Sequence, residues 1–174
     1  ALRLGRVYAC REFVIAAAIP TSISQMLGVA DQLAREFGFD PEATFVVEHR
    51  KAKADPTCFS GHIHVLAPEV DAASGRVLPS AHSYPRQERI AREAEHALGH
   101  PFVRGAHHRA VLAALRTAGK VDVADALDGA FPDPDGSPRP RADYTDAAHR
   151  LAKRAGLDLP VARKAVADAW KSTT

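Results

Sequence analysis

Residues 59–70 read FSGHIHVLAPEV, and the middle of that stretch constrains the fold more than any other part of the chain. Side chains alternate across a β-strand, so over 61–67 the imidazoles of His62 and His64 share one face while Ile63 turns the other way into a core. A second β-forming run, TFVVEH at 44–49, lies one ten-residue loop upstream. Pairing the two as an antiparallel hairpin, with 50 opposite 61, sets His49 across from His62 on the same side. Three imidazoles then converge without any demand on the distant fold.

Three neutral nitrogen donors suit a divalent first-row ion such as Mn²⁺, Zn²⁺, Co²⁺ or Ni²⁺. They leave its full charge available to a phosphate, with open positions for phosphate oxygens. Arg50, Lys51 and Lys53 in the adjoining loop, and Arg76 beyond the next turn, are the cations in sequence reach for phosphate contacts. Glu48 faces away from His49 on a regular strand. Glu69 and Asp71 follow the histidine strand and are placed to orient an imidazole from behind. The same histidines also suit a half-exposed strand with no metal, or an imidazole hydrogen-bonded in a core.

The rest of the chain predicts an α/β (α+β) protein: a small, mainly antiparallel sheet with packed helices, followed by a helical C-terminal region. A buried strand is expected over 12–19, ended by Pro20. A helix capped by Thr21 or a following serine runs to about Phe37, with Ile23, Leu27, Ala30, Leu33, Ala34 and Phe37 as its apolar stripe and Gly38 as its stop. A turn at 72–75 leads to a short strand at 76–78. Further helices are expected from Pro85 to Gly99 and over 107–118 and 121–129. His107 and His108 read as surface residues beside a helix cap. PDPDGSPRPRAD at 132–143 reads as a linker, so the domains are 1–131 and a helical appendage, 144–174, with helices at 144–155 and 160–170.

Lys and Arg total 23 against 21 Asp and Glu, a net charge of +2, which by itself argues neither for nor against nucleic acid. Cys10 and Cys58 have no paired spacing and are expected to be free thiols in a cytoplasmic protein. FVIAAAIP at 13–20 is too short to span a bilayer, and its upstream flank makes a poor signal peptide, so no membrane insertion is expected.

VVEHRKAKADPTCFSGHIHVLAPEVDAASGRVL followed by RQERIAREAEHALG resembles the relaxase/mobilisation nucleases, the HUH endonucleases of plasmids and conjugative elements. The positions that carry the resemblance are His49, His62–Ile63–His64–Val65, Asp71 with Gly75 and Arg76, and Glu95 with Gly99, over roughly residues 12–105. It implies a nickase that acts on single-stranded DNA with a divalent ion (Mn, Mg or Zn) held by the three histidines, and a tyrosine that becomes linked to the 5′ phosphate. Other mobilisation proteins, or a second subunit, are the implied partners. Tyr8 and Tyr84 are the candidate nucleophiles. Only seven residues precede Tyr8, so the domain reads as incomplete at its N-terminus, whereas Tyr84 stands at the mouth of a helix, an order closer to replication initiators. Tyr144 falls in the appendage. Two other functions fit the same residues: a relaxase-like DNA-binding accessory protein without cleavage, and a structural oligomerisation module. A histidine-triad hydrolase does not fit, because Leu66 stands where the last histidine of that motif belongs.

Overall fold

A computed structural model describes residues 9–50, 59–72, 74–132 and 146–173. Among these the chain forms an α+β protein with three strands, β1 (Cys10–Ala16), β2 (Phe45–Arg50) and β3 (Gly61–Pro68). Six helices accompany them: α1 (Ile23–Phe37), α2 (Ser83–Leu98), α3 (His108–Thr117), α4 (Val121–Ala130), α5 (Asp146–Arg154) and α6 (Leu159–Thr173). Two compact units divide at 139/140. The second holds α5 and α6.

The sheet order is β1-β3-β2, and both pairings are antiparallel. β3 therefore lies in the middle, and its sequence alternation becomes an alternation of burial. Ile63, Val65 and Ala67 are essentially inaccessible, whereas His62, His64 and Leu66 stay half-buried on the other face. β1 begins at Cys10, two residues before the predicted strand, and stops at Ala16. It is not buried throughout: Phe13 is buried, Arg11 and Ile15 are half-buried, and the residues between them are exposed. A sheet edge over one core produces that pattern.

Among the described residues of the first unit, the helical layer covers the Ile63 face. Phe13, Ile63 and Val65 pack there with Met26, Leu33 and Phe37 of α1, with Phe39 and Leu78, and with Ile90 of α2. α1 starts with a capping box: Ser22 Oγ accepts from the Gln25 backbone N–H, and the Gln25 side chain accepts in return from the Ser22 N–H. Gly38 ends it at φ 73°, as the sequence predicts. The buried stripe is Met26, Ala30, Leu33, Ala34 and Phe37, while Ile23 and Leu27 of the predicted stripe are exposed. The stripe is the expected one from Ala30 onward, and only in the first turns does Met26 take the core position in place of Ile23 and Leu27.

α2 is held mostly by charge. Arg86 and Arg89 both bind Glu36 at the end of α1, and the Arg86 guanidinium stacks 4.2 Å from the centre of the Phe37 ring. Burial alone raises the Glu36 pKa, but the two arginines outweigh it and hold the carboxyl below its ordinary value. Farther along, Glu95 accepts from Arg92 at 2.7 Å and from the Val103 N–H at 3.2 Å. Burial dominates there and pushes the Glu95 carboxyl up to about 7, despite the opposing pull of Arg92.

α3 and α4 enclose a second core of Val111, Leu112, Leu115, Val123, Ala124 and Leu127. His108, expected on the surface, is buried with its ring edge-on to Phe131, and burial lowers its pKa. Glu88 of α2 caps the start of α3 by accepting from the His107 N–H at 3.0 Å. The predicted strand at 76–78 reduces to one bridge, Val70–Val77, around a turn closed by Gly75 at φ 67°. Among the described residues no helix is long and apolar enough to cross a membrane.

Ile63→Ala opens a cavity in the centre of the first core. It should cost about 2–5 kcal/mol in urea unfolding while leaving both neighbouring histidines in place. Glu95 binds its proton more tightly folded than unfolded. Its contribution to stability is therefore complete below 4.5, its ordinary value, and is lost as pH rises through about 7. Stability measured from pH 4.5 to 8 should fall less steeply in Glu95→Gln than in the wild type.

Candidate metal centre

The open face of the sheet is a ladder of three rungs. Ala16, His62 and His49 form the first; Val14, His64 and Val47 the second; Glu12, Leu66 and Phe45 the third. The hairpin register is the one the sequence argument adopted, with His49 opposite His62 and Arg50 opposite Gly61. Gly61 also has a steric reason. A Cβ there would sit 2.6 Å from the ring of Phe59, which lies across the strand entry and packs on the core.

The imidazole centres of His49 and His62, and of His62 and His64, are 5.0 Å apart, and those of His49 and His64 are 5.9 Å apart. One nitrogen from each ring lies within 4.8 Å of the others. Tetrahedral Zn–N coordination at about 2.1 Å separates the nitrogens by about 3.4 Å, so inward ring rotations close this set on an ion.

The tautomers fit a metal. His64 Nδ1 lies 2.6 Å from a carboxylate oxygen of Glu12. A carboxylate accepts, so Nδ1 carries the proton, and in the neutral ring Nε2 then keeps the lone pair. His62 Nδ1 faces the Ser60 carbonyl oxygen at 3.4 Å, a longer contact of the same sense. A carboxylate behind a ligating imidazole fixes its ring and raises its basicity. The sequence points to Glu69 or Asp71 for that function. Glu69 is instead engaged by Arg11 at 2.7 Å, and the Asp71 carboxylate accepts from the Ser74 backbone N–H at 2.6 Å within its own turn. Glu12 went unnoticed because it sits 52 residues from His64 on a strand whose position beside β3 is not legible locally.

Among the described residues, the other predicted site residues do not join the cluster. Arg50 projects to the helical side, where it bonds Glu48 at 2.8 Å and lines a recess with Ser22 and Met26. Strand parity explains this, since 48 and 50 alternate with His49. Arg76 lies beside the end of α1, in a recess shared with Arg35, Glu36 and Gly38. Tyr84 is 75% exposed in the first turn of α2, a helix that packs on the Ile63 face, opposite the imidazoles. Tyr8, Lys51, Lys53, Cys58 and Tyr144 lie outside the described residues.

An apolar recess lies elsewhere in this unit. It is a groove of about 410 Å³ along the free edge of β1, walled by α1 and α2, with Glu95 and His100 among its few polar groups. No family model matches the chain, and neither a curated protein nor a solved structure matches it at a significant level.

Glu12→Gln removes the carboxylate behind His64 and should weaken Zn²⁺ or Mn²⁺ binding by about 10–100-fold. His64→Ala should abolish it. Titration calorimetry with each ion checks both, and equal affinity for Glu12→Gln and wild type would remove Glu12 from the site.

Proposed function

We propose that this chain is a relaxase-like nickase that binds single-stranded DNA on the open sheet face and cuts it with the help of a divalent ion. The observation that carries the proposal is the convergence of His49, His62 and His64 with Glu12 bonded behind His64. These three histidines are the residues that would hold the ion, Mn²⁺, Mg²⁺ or Zn²⁺. When bound, it supplies positive charge to the oxygens of the scissile phosphate. The ligands are neutral, so they do not offset that charge, and Glu12 holds His64 in the tautomer that leaves Nε2 free.

Of the two tyrosines singled out in the sequence, Tyr8 is the proposed nucleophile. It precedes β1, a strand of the histidine sheet, by two residues. Its phenolic oxygen loses its proton and forms the bond to phosphorus. The bond from phosphorus to the 3′ oxygen breaks, and that oxygen takes up a proton. The products are a 5′-phosphotyrosine and a free 3′-hydroxyl. The position of Tyr84, on the far side of the sheet, favours a second reading: a relaxase-like protein that holds metal and strand without cutting.

One experiment separates the two. Wild-type protein is incubated with labelled single-stranded DNA and Mn²⁺ or Mg²⁺ and resolved on denaturing gels. A covalent adduct that disappears in Tyr8→Phe and in His62→Ala/His64→Ala, but persists in Tyr84→Phe, is the expected result. DNA binding with no adduct identifies the non-cleaving relative. Absence of bound metal in the wild type overturns both.

A further inference from the structure

The face that carries the histidines is amphiphilic. Beside the cluster stand Val14 and Val47 on the second rung and Leu66 and Phe45 on the third, and Phe45 is 75% exposed. Phenylalanine prefers burial, and nothing in the fold requires an aromatic at this edge position, since the core lies on the opposite face. The sole acidic group on the three rungs, Glu12, is bonded to His64. The face therefore sets the candidate ion site, which would draw an anion once loaded, next to an uncharged, partly aromatic shelf.

That pairing matches one kind of polymer, in which anionic groups alternate with flat apolar ones. Resting on the functional reading above, we propose that Phe45 is a stacking platform for a nucleobase of the single strand whose phosphate lies at the histidine cluster. Each rung is two residues, so Phe45 sits about 7 to 13 Å along the sheet from the imidazole rungs. At about 3.4 Å per stacked nucleotide, the base on Phe45 belongs to a nucleotide two to four removed from the phosphate at the cluster. Stacking on an aromatic ring tolerates any base, so Phe45 contributes affinity and register without reading sequence. It is a positioning residue: it fixes which phosphate reaches the histidines.

The test uses fluorescence anisotropy of a labelled oligothymidylate with Mn²⁺-loaded full-length protein. Phe45→Ala should weaken binding by about tenfold or more, and Phe45→Trp should restore it. Metal content and thermal melting should match the wild type in both variants. On oligonucleotides carrying one abasic site, scanned along the strand, wild type and Phe45→Ala should become equal at a single position. Equal binding of the all-thymidine strand by both proteins overturns the proposal while leaving the functional reading intact. So does light scattering that shows a wild-type dimer falling to monomer in Phe45→Ala, because the shelf is then a contact between copies. If the metal-loaded wild type binds no single strand at all, the functional reading falls, and this proposal with it.

Discussion

The two-residue period of β3 governs both the core and the candidate site. Because the strand is central, with antiparallel neighbours on each side, it cannot shift without breaking two ladders. A slip by one residue would carry Ile63, Val65 and Ala67 to the open face and bury His62 and His64 under the helices. Burying one large aliphatic side chain is worth about 1.5–3 kcal/mol, and burying an imidazole without partners costs free energy besides. The hydrophobic core thereby enforces the register that gathers the histidines. β2 follows from the same constraint: its pairing with β3 puts His49 in the cluster and sends Glu48 and Arg50 to the other side.

The helical layer answers a different problem. α2 has few buried residues, Ile90 and Arg92 among them, so apolar burial alone would hold it weakly. Glu36 supplies a carboxylate at the end of α1 that two α2 arginines share, and the Arg86 guanidinium lies over Phe37 in the core. The arginine stems cover apolar surface while their heads find acceptors. With the charged groups that organise α2 drawn to this side, the three rungs of the open face hold imidazoles, apolar side chains and Glu12. The sheet thus separates a charge-laced support layer from the face that carries the candidate metal centre.

Local patterns in the sequence carry much of this architecture. The histidine hairpin, both ends of α1 and the glycine stop of α2 follow from alternation, capping residues and glycine, whereas α2 starts at Ser83, two residues before the expected proline and with no side-chain cap. What local patterns miss depends on packing between distant segments. Met26 takes the core place expected of Ile23 and Leu27 because it packs in the cluster with Phe13, Ile63 and Ile90, residues far from it in sequence. His108 is buried because Phe131 comes to lie beside it. Glu12 reaches His64 because β1, rather than another element, is the second neighbour of β3. Arg50 was assigned to the site from its closeness in sequence, although strand parity alone sends it to the other face.

The same separation of faces limits the chemistry. A sheet of three paired strands is a barrier: a side chain from the helical layer has to pass its backbone or go round an edge to reach the imidazoles. Tyr84 and Arg76 both belong to segments on the helical side, so their closeness in sequence to the histidine strand does not become closeness at the cluster. Any ligand of the imidazoles has to arrive over the open face, across the exposed rungs that hold Val14, Val47 and Phe45. The apolar rungs and the imidazole rungs are parts of one surface, so whatever meets the second also meets the first.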